Sequence, residues 1–181
     1  MTVIVAKRED GNIILAWDNQ TTRGWTKLEA KSTNTNRSKV SKINEEYAIG
    51  GAWLVEEITI FHRYCQRITP KGSTENDIYD FMVDFKNHCV ATMGKFEFNT
   101  QYIIVYKSRI FQINYGYHVQ EMNDYATIGS GGDCALVAIS MGANAVTAVN
   151  KAKQFDIGCG GETYYVMIED TLMKNEKTKD K

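Results

Sequence analysis

Thr2-Val3-Ile4-Val5-Ala6-Lys7-Arg8-Glu9-Asp10-Gly11, continued by Asn12-Ile13-Ile14-Leu15-Ala16-Trp17-Asp18, is the stretch on which the fold turns. Two runs rich in β-branched and aliphatic residues are separated by Asp10-Gly11, a pair that readily supplies the positive φ of a tight hairpin. The chain therefore starts as a β-hairpin with Thr2 at its very beginning.

Working outward, residues 30–38 are polar and nonperiodic, which predicts a solvated loop, and a strand follows over Glu46–Ala52. Leu54, Ile58, Phe61, Cys65 and Ile68 recur at intervals of three and four and share one helical face. Gly72-Ser73-Thr74 interrupts the pattern. A second helix carries Ile78, Phe81, Met82, Phe85 and Cys89, with Ser73 or Thr74 placed to cap it. Tyr102–Tyr106 and Ile110–Ile113 flank Lys107-Ser108 as a second hairpin, and His118–Met122 adds a short strand. Beyond Gly129-Ser130-Gly131-Gly132, the stretches Asp133–Met141 and Ala145–Phe155 read as helices and Thr163–Ile168 as a strand. Grouped rather than alternating elements predict an α+β fold of two antiparallel sheets covered by helix layers, not a doubly wound sheet.

A length of 181 residues corresponds to one domain, set at 1–170, followed by a charged tail at 171–181. Lys and Arg total 21 against 22 Asp and Glu, a net charge of −1, which argues against a nucleic-acid partner bound by neutralising many phosphates. No segment has the ~20 apolar residues of a membrane helix. Charges also occupy the place of a signal peptide's apolar stretch, so the expected setting is cytoplasmic: bacterial, or host cytoplasm for a virus-encoded chain. Cys65, Cys89, Cys134 and Cys159 form no CxxC pair and are expected as reduced thiols. His62 with Cys65, and His88 beside Cys89, lack a further pair to complete a tetrahedral set, so neither metal nor cofactor is expected.

Thr2 carries the chemistry. Removal of Met1 leaves a hydroxyl and a free α-amine on one residue. With a reference pKa of about 7.7–8.0, that amine is partly neutral near pH 7 and can take the proton of its own hydroxyl. Many chains have Thr second, so this feature has little weight alone. Taken singly, Asp18 and Lys39 read as a surface ion pair and Gly129–Gly132 as an ordinary helix entry.

Together these segments resemble the proteasome β subunits and, more closely, their bacterial relative HslV, in the N-terminal-nucleophile (Ntn) hydrolase family. The strongest matches lie at residues 2–22, 39–52, 125–137 and 152–168. The resemblance keeps the register from the nucleophilic Thr to an Asp matched by Asp18. It identifies Lys39, in preference to Lys42, as the lysine beside the hydroxyl, and Gly51 as the backbone donor to the oxyanion. Ser130 matches the serine that bonds the terminal amine, and Asp156 the aspartate that orients the nucleophile. Cys159 stands where proteasomes have a serine, and a thiol is the weaker hydrogen-bond partner. Thr22 corresponds to the residue whose main chain pairs with extended substrate. Trp53 is a candidate for the pocket floor, though by type it reads first as a core tryptophan.

The resemblance implies a four-layer αββα Ntn sandwich and a threonine endopeptidase of broad specificity on unfolded polypeptides. It also implies self-association into a ring of the hexamer or heptamer class, single or doubled, fed in some relatives by an ATP-driven (AAA+) unfoldase. Two other functions share the pattern: a catalytically silent ring or scaffold protein, as proteasome α subunits are, and an Ntn amidase acting on small amides.

Overall fold

The computed structural model describes residues 2–23, 26–28 and 39–172. The chain runs β1 (Ile4–Glu9), β2 (Asn12–Asp18), β3 (Thr21–Arg23), β4 (Thr26–Leu28), β5 (Val40–Asn44), β6 (Tyr47–Ala52), α1 (Val55–Cys65), α2 (Glu75–Met93), β7 (Gln101–Tyr106), β8 (Arg109–Asn114), β9 (His118–Met122), β10 (Tyr125–Ile128), α3 (Gly132–Ser140), α4 (Ala145–Phe155) and β11 (Thr163–Glu169). Two antiparallel sheets result, one ordered β10-β1-β2-β11 and the other β5-β6-β7-β8-β9, with β3 and β4 as a separate short hairpin.

The hairpin of β1 and β2 is central to the first sheet, and its residues serve both faces. Val3, Val5, Ile14 and Ala16 pack toward α3 and α4, while Ile4, Ala6, Ile13, Leu15 and Trp17 pack toward the second sheet. A strand covered on both sides reads as a continuous apolar run, which is why these segments show no polar alternation. The turn is made by Asp10 at φ 49° and Gly11 at φ 76°, the left-handed pair that joins right-twisted strands. Between the sheets lie Val40, Ala48, Ile103, Val105 and Ile110. Across the second sheet, α1 and α2 bury an aromatic cluster in which Phe61 lies 4.9 Å from Phe85 and 4.4 Å from Tyr102, centroid to centroid. The order of layers is therefore helices, sheet, sheet, helices.

The hairpins and helices form where the periodicity places them, and the differences have local causes. β5 has its two apolar residues three apart, so Val40 faces the other sheet and Ile43 faces the helices; no alternation reveals it. β10 is four residues long and merges into a glycine turn. Ile68, expected on the face of the first helix, lies beyond its end and is 44% exposed, because α1 stops at Cys65. The polar loop at 30–38 and the tail from residue 173 lie outside the described residues, while Thr171, expected in the tail, donates its N–H to Ser108 Oγ at 2.9 Å. Among the described residues no helix is long and apolar enough to cross a membrane, and no disulfide joins the four cysteines.

The start of α2 is set by Thr74, whose hydroxyl accepts Asp77 N–H at 3.2 Å while the Asp77 carboxylate accepts Thr74 N–H at 2.9 Å. This reciprocal cap satisfies two amides that the first helical turn leaves without partners. Thr74→Ala is expected to cost about 1 kcal/mol and to lower the melting temperature by about 2–4 °C, measured by circular dichroism.

Glu57 on α1 is buried, and its Oε2 has no hydrogen-bond partner among the described residues. Burial raises its carboxyl above the usual value; Thr100 and Asn99 N–H offset part of the rise, and Glu56 adds to it. Between the unfolded and the higher folded pKa the folded state holds the extra proton, so stability falls as pH rises through that window. Glu57→Gln should therefore melt above wild type near pH 7, with the difference closing toward about pH 4, where the unfolded carboxyl is also protonated.

Candidate active site

The antiparallel register Ile4↔Trp17 brings the residues just before β1 beside the end of β2. Asp18 N–H donates to Val3 O at 3.3 Å, and Val3 N–H donates to Asp18 Oδ1 at 2.9 Å. The carboxylate, 0% exposed, is held on both oxygens. Oδ1 also accepts the Thr2 hydroxyl at 3.0 Å and Lys39 Nζ at 2.7 Å, while Oδ2 accepts Gly160 N–H at 3.0 Å and Gln20 N–H at 3.3 Å. Thr2 itself is 3% exposed.

Lys39 precedes β5 and reaches Asp18, whereas Lys42 points away and pairs with Glu45 at 2.7 Å near the surface. Burial lowers the Lys39 ammonium from the ordinary lysine value, and the carboxylate of Asp18 opposes that fall. The result is a partly desolvated cation fixed beside a threonine hydroxyl.

On the other side of Thr2, its N–H donates to Ser130 Oγ at 3.2 Å, and Gly131 N–H donates to Thr2 O at 3.1 Å. This approach needs glycine at 129. The residue has φ 89°, and a Cβ there would stand 2.2 Å from Thr2 O. Asp156, at the end of α4, accepts Gly158 N–H at 2.8 Å on Oδ1 and the Cys159 thiol at 3.1 Å on Oδ2. Burial would raise the Asp156 carboxyl, yet hydrogen bonds from Ser130, Gly158 N–H and Cys159 leave it below its usual value. The Cys159 thiol is pushed well up by burial and by the nearby Asp18 and Asp156. It is a neutral donor to Asp156 and has no bond to Thr2 N.

Two of the expected residues stand differently. Gly51 N–H donates to Lys39 O at 2.9 Å as part of the β5–β6 ladder, so it meets an oxyanion only as a shared donor. Trp53 is not a core tryptophan. It is 41% exposed at the corner between β6 and α1, with φ 111° and its indole N–H on Gln101 Oε1 at 3.2 Å, because the strand turns outward there before the helix begins. Thr22 lies half-buried on β3. The contacts made by Gln20, Gln101 and Gly160 have no sequence signal beyond the nearness of Gln20 to Asp18 and the glycine pair at 160–161.

This site lies at one end of a two-sheet, four-layer αββα sandwich. No protein-family profile and no curated protein sequence matches the chain, whereas solved structures do. Thiobacillus denitrificans BPH in complex with epoxomicin matches with a TM-score of 0.82 and 18% identity, over 93% of this chain and 99% of that one. A second structure of Thiobacillus denitrificans BPH gives 0.82 and 19%, over 93% and 98%. Eukaryotic HslV from Trypanosoma brucei gives 0.63 and 20%, over 92% and 99%. At these identities the likeness establishes the fold.

The tight turn against Thr2 is testable by pairing two glycines. Gly129→Ala meets both the strain of a positive φ and the collision with Thr2 O, whereas Gly142→Ala, at φ 92° with nothing within 4 Å of its Cβ, meets the strain alone. Gly142→Ala should cost about 1–2 kcal/mol and Gly129→Ala clearly more, both measured by urea denaturation.

Proposed function

We propose that the chain is a threonine peptidase that hydrolyses peptide bonds with Thr2 once Met1 is removed. The observation that carries this reading is the set of bonds around one buried residue: Thr2 Oγ1 and Lys39 Nζ on Asp18 Oδ1 at 3.0 and 2.7 Å, and Thr2 N on Ser130 Oγ at 3.2 Å. With the amine free, the hydroxyl proton passes to that nitrogen as Oγ1 adds to the substrate carbonyl carbon. Lys39 stabilises the negative charge developing on Oγ1, and Asp18 keeps the ammonium within reach. The amine then returns the proton to the leaving nitrogen as the C–N bond breaks. Water, deprotonated by the same amine, cleaves the resulting ester and restores Thr2. Ser130, backed by Asp156, aims the amine. Gly51 N–H serves the oxyanion by sharing its proton with Lys39 O.

Self-association accompanies this reading. Val137, Met141, Phe155, Ile157, Tyr165 and Met167 are large apolar side chains left exposed along α3, α4 and β11, a surface suited to burial against further copies. A ring that encloses the site, and an ATP-driven unfoldase that threads polypeptide into it, complete the proposal. Thr22 and the corner at Trp53 would border the substrate strand.

Intact-mass analysis should find the Met1-free chain, and fluorogenic peptides should be turned over by wild type. Thr2→Ala and Lys39→Ala should each lose about 10³-fold or more in kcat. Epoxomicin, bound in the BPH structure, is a direct probe: it should block wild type and leave Thr2→Ala unmodified in the mass spectrum. Retained Met1 without turnover would instead identify a silent homologue, and release of small amides without peptide cleavage an amidase.

A further inference from the structure

We propose that Gln101 is a positioning residue that ties the turn holding the nucleophile to the corner at the substrate groove; this rests on the peptidase reading above. Gln101 opens β7, opposite Ala52 in the ladder with β6. Its Oε1 accepts Gly129 N–H at 3.0 Å and Trp53 Nε1–H at 3.2 Å, and its Nε2 donates to Asn114 Oδ1 at 3.2 Å. Both N–H groups on the first side are obligatory donors, so the amide oxygen must face them and the orientation is unambiguous. Asn114 Oδ1 also accepts Gln112 Nε2 at 3.3 Å, which anchors the outer end of the amide to β8.

The two residues held by Oε1 both have positive φ. Gly129 has φ 89° and Trp53 has φ 111°, a value that side-chain-bearing residues rarely adopt. Such geometry persists only where the surroundings hold it. Close packing does not do so on the outer side of the turn. A cavity of about 260 Å³ opens there, lined by Gln101, Gln112, Met122, Gly129 and Leu136 among others. The hydrogen bond from Gly129 N–H therefore carries a restraint that side chains would carry in a filled core. Gly129 in turn touches Thr2 O and precedes Ser130, so the position of Gln101 reaches the nucleophile through one residue. A glutamine supplies a two-fold acceptor and a donor on one planar group; glutamate keeps the acceptor, and methionine keeps neither.

The test uses Gln101→Met and Gln101→Glu in the full-length chain, with two readouts. Amide hydrogen exchange by mass spectrometry over residues 126–132 should accelerate about tenfold in Gln101→Met, the signature of a lost hydrogen bond, while remaining near wild type in Gln101→Glu. Unchanged exchange over β1, β2 and α2 verifies that each variant is folded. Peptide turnover should show kcat down about tenfold and KM raised in Gln101→Met, with kcat largely restored in Gln101→Glu. Unchanged exchange at the turn in Gln101→Met, accelerated exchange with unchanged kcat, or no restoration by glutamate would overturn the proposal. Absence of turnover in wild type defeats the peptidase reading instead, and the exchange comparison then decides by itself whether Gln101 holds the turn.

Discussion

A carboxylate with no solvent exposure stands at the end of the central strand, and the geometry of the site is arranged around it. Burying such a charge costs many kcal/mol unless it is paired and hydrogen-bonded. Asp18 has an ammonium, a hydroxyl and three backbone amides; one amide is that of nearby Gln20, and the other four donors come from three distant parts of the chain: the residues before β1, the residue before β5 and the loop before β11. Removing any of them leaves part of the carboxylate unsatisfied. The requirement to neutralise one atom pair therefore brings Thr2, Lys39 and Gly160 together, and the same arrangement sets a cation and the threonine hydroxyl on one carboxylate oxygen.

The sandwich makes this possible by covering the hairpin on both faces. Because β1 and β2 are packed between α3–α4 and the second sheet, the residues from Val3 onward are held by core contacts. The far end of the hairpin is closed by polar bonds: the Arg8 guanidinium pairs with Asp170 and donates to Ser108 O at 2.7 Å, joining the first sheet to the β7–β8 turn. One end is thus closed by charge pairing, and the other holds the buried hydrogen bonds around Thr2. The aromatic layer under α1 and α2 contributes packing and takes no part in the site.

The two halves of the site differ in how they are supported. The Asp18–Lys39 side is buried and over-determined, with several donors for each oxygen. The Ser130 side depends on a glycine turn of unusual φ, on Asp156 with its thiol partner Cys159, and on an amide from another sheet. The Cys159 thiol reaches Asp156 and leaves the contact with Thr2 N to Ser130.

Local chemistry was legible in the residues themselves. Asp10-Gly11 and the flanking apolar runs require a hairpin, the three-and-four spacing of α1, α2 and α4 requires helices, and Thr2, Asp18, Lys39, Ser130 and Asp156 stand in an order that resembles a known family. Each of these depends on neighbours in sequence or on residue type. What the tertiary structure alone decided depends on contacts between segments: that Gly51 N–H is taken by Lys39 O, that Trp53 turns out of the core, that the Cys159 thiol serves Asp156, and that Gln101 spans the two sheets. A hydrogen bond between residues far apart in the chain leaves no periodicity and no local propensity behind, so it becomes visible only when the sheets are packed together.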